Sequence, residues 1–228
     1  MNLAKLEKNI GIKFKDKDLL QQAFIHRSYL NENPGSKTDH NERLEFLGDA
    51  VMELVVTKNL FEHFPNPEGD LTTWRAALVN SKMLSEIATK LGFNDYLMLS
   101  KGESQDIGRA RQFILANTFE AMVGAIYLDQ GFNEAEKFLE KNLLCELERV
   151  LKEKLYLDPK SHFQEEAQGK MGITPSYELV KEEGPDHAKL FEVGVYLNSD
   201  LIAIGKGPSK QSAQEQAAKE ALKKKGWG

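Results

Sequence analysis

The sequence predicts an α+β chain in two parts: an all-helical region over residues 1–150 and a compact α-β-β-β-α domain over 158–226, with a short linker at 151–157. Three observations predict it. Apolar residues recur at three- and four-residue spacing through 50–60, 78–91, 113–128 and 134–151, the period of helices that bury one face. Past residue 151 the period becomes two, with Phe191, Val193, Val195 and Leu197 on one side of a strand. Finally, Ala213, Ala217 and Ala221 repeat every four residues, a small-residue stripe that lets a last helix lie close to a sheet.

Breaks in the helical region fall at Asn33-Pro34-Gly35, across 64–69, at Gly92 and at Gly131, where glycine and proline interrupt the pattern. The polar, glycine-containing stretch KGESQDIGRAR (101–111) reads as a loop. The charged linker ends at Asp158-Pro159, and Pro159 suits the first turn of a helix over about 159–170. A strand at Ser176–Glu183, the alternating strand, a turn at Asn198-Ser199-Asp200, a third strand at 201–205 and a helix at 209–224 complete the second part.

With 41% hydrophobic and 29% charged residues in 228, the chain is too apolar for disorder. No run approaches 18 apolar residues, so no transmembrane span is expected. The N-terminal residues lack an unbroken apolar core followed by a small-residue cleavage site, so no secretory signal is expected either. The one cysteine, Cys145, excludes an internal disulfide and a multi-cysteine zinc site, points to a reducing, cytoplasmic home, and by its apolar spacing reads as core. The net charge is −5, with 20 Lys and Arg against 24 Asp and Glu through residue 154 and 10 against 11 beyond it. Bulk charge therefore does not steer a polyanion here, and any phosphate contact has to come from locally placed lysines.

The segment NERLEFLGDAVMEL (41–54) carries the strongest chemical signal. At about 100° per residue, Glu42, Glu45 and Asp49 fall at roughly 0°, 300° and 340°, while Leu44, Leu47, Val51 and Leu54 gather between roughly 120° and 200°. A solvated acidic face is one reading. Yet like charges four residues apart repel, and no Lys or Arg lies on the stripe to relieve them, which suits a cation from elsewhere. The second half is ANTFEAMVGAIYLD (116–129), where every residue from 119 to 128 except Glu120 is apolar or small. A buried lone glutamate is costly unless paired, by an arginine such as Arg75 or by backbone, or bound to a metal, and Asn117 points the same way three residues earlier. Two helices offering oxygen ligands suit a hard divalent ion such as Mg²⁺ or Mn²⁺. Phe46, at about 40° on the same wheel, lies beside the acids rather than with the leucines, so a partner surface explains it better than its own core does.

NERLEFLGD (41–49) matches the signature stretch of the bacterial ribonuclease III family, and the likeness continues through His26-Arg27-Ser28-Tyr29, Glu68-Gly69-Asp70-Leu71, the Glu120 helix and the C-terminal domain. The resemblance implies an all-helical endonuclease domain that forms a homodimer, a double-stranded-RNA-binding domain after it, and Mg²⁺-dependent hydrolysis of duplex RNA. Products are expected to carry 5′-phosphate and 3′-hydroxyl ends with short 3′ overhangs, in the maturation of ribosomal, messenger and transfer RNA. Carried over residue by residue, the family's metal-binding positions fall on Glu45, Asp49, Asn117 and Glu120, with Asp49 and Glu120 as catalytic acids and Mn²⁺ able to replace Mg²⁺. Glu42 and Glu68 match further acids along the RNA valley, and Phe46 matches the aromatic that enters a socket on the partner subunit. Asn117 stands where the family often has Asp; it still offers one carbonyl oxygen, with weaker attraction for the ion, and an active natural variant is expected.

In the C-terminal domain the resemblance implies contacts to 2′-hydroxyls from Ser161, Gln164 and Glu165, a minor-groove contact from His187 in the loop 184–188, and phosphate contacts from Lys206 and Lys210. The family commonly carries further lysines in this last helix, whereas here Gln211 and Gln214 occupy positions neighbouring Lys210, so modest RNA affinity with a shallow salt dependence is expected. No small-molecule cofactor and no membrane partner are expected. Two rivals are disfavoured on the sequence: the intact set Glu42, Glu45, Asp49, Glu68 and Glu120 argues against a duplex-RNA-binding protein with a dead catalytic domain, and the C-terminal loop and lysine argue against a helical metal–carboxylate protein with an appended α/β domain.

Overall fold

A computed structural model of the chain describes residues 2–105, 108–185 and 189–227. It divides into two compact units, Met1–Tyr156 and Leu157–Gly228.

The first unit is built from α1 (Leu3–Ile10), α2 (Lys17–Gln22), α3 (Arg27–Glu32), α4 (Glu42–His63), α5 (Glu68–Leu78), α6 (Ser81–Lys90), α7 (Lys101–Gln105), α8 (Arg109–Gln130), α9 (Phe132–Asn142) and α10 (Leu147–Lys152). Its core is one continuous cluster in which Met52, Val55, Val56 and Leu60 of α4 meet Phe119, Met122, Val123 and Ile126 of α8. The two helices are 22 residues each and pack together more extensively than any other pair in the unit. A mid-helix glycine on each makes this possible. A Cβ on Gly48 would lie 1.8 Å from the carbonyl oxygen of Glu120, and one on Gly124 would lie 2.2 Å from that of Leu44. Only glycine fits either side of such a backbone crossing.

Three expectations are corrected. The 101–111 stretch is not a loop throughout: α7 occupies Lys101–Gln105 and α8 begins at Arg109. The Ser100 hydroxyl receives the Glu103 amide at 3.3 Å, and Arg111 donates to the Glu103 and Ser104 carbonyls at 3.0 Å each, so both ends of this single turn are satisfied by side chains. Cys145 is exposed rather than core, because the helix expected over 134–151 breaks at Leu143 and passes through a short 3₁₀ turn, Leu144–Glu146, before α10. Leu54 is 57% exposed. The buried seam of α4 runs through Leu44, Gly48, Val51, Met52, Val55 and Val56, centred roughly 80° further round than the leucine positions suggest. Of the stretch expected as linker, Tyr156 docks on the first unit, its ring 6.1 Å from that of Trp74.

The second unit comprises α11 (Pro159–Met171), β1 (Ser176–Glu183), β2 (Leu190–Leu197), β3 (Asp200–Gly207) and α12 (Lys210–Lys225). The strands form one antiparallel sheet in the order β1-β2-β3. Asp158 caps α11 through the Ser161 amide at 2.8 Å, and Pro159 opens the helix as its φ allows. Val193, Val195 and Leu197 bury the inner face of the sheet, as their alternation predicts. Asn198 takes the left-handed conformation (φ 55°) that the β2–β3 turn requires. The alanine stripe of α12 packs on β3 so closely that a Cβ on Gly205 would sit 2.1 Å from the Ala217 nitrogen. Phe163, Val195, Leu197, Ala217 and Ala221 form a core separate from the first.

Candidate active site and nucleic-acid face

The shifted seam of α4 changes where its acids point. Measured from the centre of the buried face at about 240°, Glu45 and Asp49 flank the contact with α8 instead of opposing it, while Phe46 faces outward. The glycine crossing therefore brings the α4 acids to the part of α8 that carries Asn117 and Glu120.

Electrostatics shows the four side chains acting on one another. Burial, then the Asp49 and Glu45 charges, push the Glu120 carboxyl up to about 8. Glu45 is raised by burial and by the Glu42 and Asp49 charges, and a hydrogen bond with the Asn117 amide opposes the rise. Asp49, the most open of the three acids, is raised by partial desolvation and by Glu53 one turn along. No Lys or Arg among the described residues pairs with Glu45, Asp49 or Glu120. Arg75 donates instead to the Thr57 hydroxyl at 2.9 Å, so the pairing it offered to Glu120 is not made. Among the described residues no three His, Cys, Asp or Glu side chains close into a metal cage. The cluster is one of mutually repelling oxygens joined by an amide.

Glu42 lies at the rim, 3.7 Å from Arg27 and 3.8 Å from His40. Glu68 opens α5 and lines a cavity of about 460 Å³ with Thr57, Leu60, Phe61 and Arg75. Phe46, Leu54 and Phe61 stand 82%, 57% and 78% exposed along the outward side of α4. Gly48 and Gly124 went unread in the sequence as positioning residues. The signal was there, since a glycine inside a strongly helical pattern carries a cost that close packing can repay.

In the second unit Ser161, Gln164 and Glu165 are exposed on α11. Lys210 is exposed on the first turn of α12, which Ser209 caps through the Ser212 amide at 3.1 Å. Lys206 pairs across the strands with Glu192 at 2.5 Å. His187 lies outside the described residues.

With this geometry in view, comparison with known proteins is decisive. A family model described as ribonuclease-III-like matches residues 16–147, more than half of the chain. The chain belongs to the ribonuclease III family. A double-stranded RNA binding motif matches 159–225. Ribonuclease 3 of Leptospira interrogans is 46% identical over 220 residues, spanning 96% of this chain and 89% of that protein. Ribonuclease 3 of Enterococcus faecalis is 44% identical over 219 residues, spanning 96% and 95%. Among solved structures, the nuclease domain of ribonuclease III from Campylobacter jejuni is 42% identical, with a TM-score of 0.55, over 61% of this chain and 92% of that one. A second structure of that domain (43% identity, TM-score 0.55, 62% and 98% coverage) is described as flexible in a region involved in dimer formation. The two-part fold matches the ribonuclease III family: a helical nuclease domain, then an α-β-β-β-α RNA-binding domain.

The raised Glu120 carboxyl has a consequence in metal-free buffer. A carboxyl that holds its proton more tightly when folded gives a native state with more bound protons than the unfolded chain between about pH 4.5 and 8. Stability then falls as pH rises through that window. In EDTA, the melting temperature of the chain is expected to drop from pH 5 to pH 8, and the drop to be smaller in Glu120→Gln. Parallel pH profiles for the two proteins would show the expectation wrong.

Proposed function

We propose that the chain is an endoribonuclease that hydrolyses phosphodiester bonds of double-stranded RNA to 5′-phosphate and 3′-hydroxyl ends, in the maturation of ribosomal RNA precursors and of some messenger and transfer RNAs. The observation that carries the reading is Glu120, a glutamate in an otherwise apolar helix, held against Glu45 and Asp49 without a protein cation among the described residues. Carboxylates so placed, with an amide carbonyl beside them, match the oxygen preference of Mg²⁺, and of Mn²⁺ in its stead. Bound by Glu45, Asp49, Asn117 and Glu120, the ion would supply acidity to a water and offset charge on the scissile phosphate. The chain's own part is to hold the donors: Asn117 fixes the Glu45 carboxylate by hydrogen bonding, and the glycine crossing fixes the backbone of Glu120. Glu42 and Glu68 are read as acids further along the RNA path.

The second unit is read as the duplex grip, with Ser161, Gln164, Glu165 and His187 toward the minor groove and Lys206 and Lys210 toward phosphates. The outward apolar stripe of Phe46, Leu54 and Phe61 is read as the seat of a second copy of the chain, since large apolar side chains exposed along one face mark a partner surface. The single cysteine supports a reducing, cytoplasmic setting, and no helix among the described residues is long and apolar enough to cross a membrane.

Incubating the protein with long duplex RNA and Mg²⁺ tests the reading: fragments with 5′-phosphates support it, and bound but uncut RNA sinks it. A companion test concerns Asn117. A neutral ligand attracts a dication less than a carboxylate does, so Asn117→Asp is expected to lower the Mg²⁺ concentration for half-maximal cleavage several-fold with little change at saturation. Cleavage that appears only in the Asp variant would show the natural residue to be inactivating.

A further inference from the structure

The face of α12 that begins with Lys210 is short of cations. Lys210 and Gln214 lie one turn apart on the same side of the helix, while Lys219 falls roughly 180° from Lys210. Lys206 is already matched by Glu192. Elsewhere in this unit Lys170 pairs with Glu166, Lys181 with Glu183 and Lys189 with Glu182, and Lys224 reaches the Ile202 carbonyl. Beside Lys210, among the described residues, one lysine lies at this face without a carboxylate partner, and it comes from the other helix. Lys160, in the first turn of α11, donates to the Gln214 carboxamide oxygen at 2.6 Å, with its ammonium 5.1 Å from the centre of the Tyr177 ring. The Tyr177 phenol, pushed up to about 12 by burial and the Asp158 charge, stays neutral and so offers the ammonium a ring face without a counter-charge. An ammonium carries three donors, and the bond to Gln214 uses one.

We infer that Lys160 is a phosphate-binding residue for duplex RNA, positioned over the α12 face by Gln214 and the Tyr177 ring beside Lys210. The inference rests on the reading of the second unit as the RNA grip. Gln214 stands where a lysine on α12 itself would supply a charge; here it works as a bracket for a charge delivered from α11. A flexible lysine stem pinned at its tip loses less freedom on meeting a phosphate than one that waves in solvent, so the amide and the ring prepay part of the ordering cost.

The test measures binding of the full-length chain to a duplex RNA of about 20 base pairs, long enough for one such domain, in EDTA across a salt series. Lys160→Met is expected to weaken binding at every salt concentration and to make the slope of log affinity against log salt shallower by about 0.7 to 0.9, one phosphate contact. Lys160→Arg is expected to keep the slope. The swap Lys160→Met with Gln214→Lys is expected to restore it, since the charge returns to the same place from the other helix. Lys210→Ala serves as the reference for the reading beneath. If Lys210→Ala lowers the slope and Lys160→Met does not, Lys160 is a packing residue and the inference fails while the RNA-binding reading stands. If neither lowers it, this face does not meet RNA and both fail. Should Lys160→Met lose its fold on melting, the Arg and swap variants decide: a swap that folds but leaves the slope low overturns the inference.

Discussion

Replacing Glu120 with glutamine is expected to lower cleavage of duplex RNA by roughly 10³-fold or more at any Mg²⁺ concentration, while duplex affinity in EDTA stays within about twofold of the parent. The two shapes are nearly identical, so packing in α8 is kept, and what is lost is one negative oxygen in the cluster with Glu45 and Asp49. Two further readings separate this from general damage. Glu120→Gln should melt at or above the parent temperature at pH 8 in EDTA, because the variant no longer holds a strained carboxylate. Adding Mg²⁺ should raise the melting temperature of the parent and raise that of the variant much less, since a ligand stabilises only the state that binds it. The double variant Glu120→Gln with Asp49→Asn is expected to cleave no more slowly than the worse single variant, as donors to one ion act as a unit. A variant that loses RNA affinity along with cleavage would place Glu120 in the RNA grip instead.

Much of this site was legible in the sequence because burying charge is expensive. A glutamate inside a run of apolar and small residues, and an acid stripe without a basic partner, each ask for an explanation before any coordinates exist. The α-β-β-β-α order was legible for a similar reason: the period-two strand around Val193 and Val195 cannot sit on a helix, and the alanine stripe of α12 cannot fill a groove, so each names its neighbour. What stayed hidden was rotation and side-chain bonding. Leu54 counts as apolar on a helical wheel, but the wheel has no knowledge of where α8 lies, and the true seam follows Gly48 and Met52 instead. The single turn of α7 depends on Arg111 reaching back to two carbonyls, a bond between residues seven and eight apart that local propensity does not carry. Lys206 counts as a free cation in sequence and is matched by Glu192 only through the β2–β3 register.

Gly124→Ala is expected to destabilise the first unit by about 3 kcal/mol or more, and to reduce cleavage beyond what the loss of folded protein explains. In an ordinary helix interior the same change stabilises by roughly 0.5–1 kcal/mol, because glycine costs more entropy to order than alanine. The sign reverses here because the new methyl would stand 2.2 Å from the Leu44 carbonyl oxygen and α4 would have to move away. That displacement would widen the gap between Glu45 and Asp49 on one helix and Asn117 and Glu120 on the other. Gly48→Ala meets the Glu120 carbonyl at 1.8 Å and should act alike. Because both methyls press on one crossing, the double variant should cost less than the two single effects added together, as the first displacement makes room for the second. Gly69, in the first turn of α5 with open space around its Cβ, provides the control: Gly69→Ala should be neutral or slightly stabilising. Urea unfolding of the parent and the four variants measures the stability terms. Mg²⁺ titration of cleavage by the surviving folded fraction measures the spacing of the donors, and it should show a higher half-saturating concentration for both crossing variants. Folded Gly124→Ala with unchanged Mg²⁺ dependence would mean that the crossing supports the fold but does not set the distance between the acids.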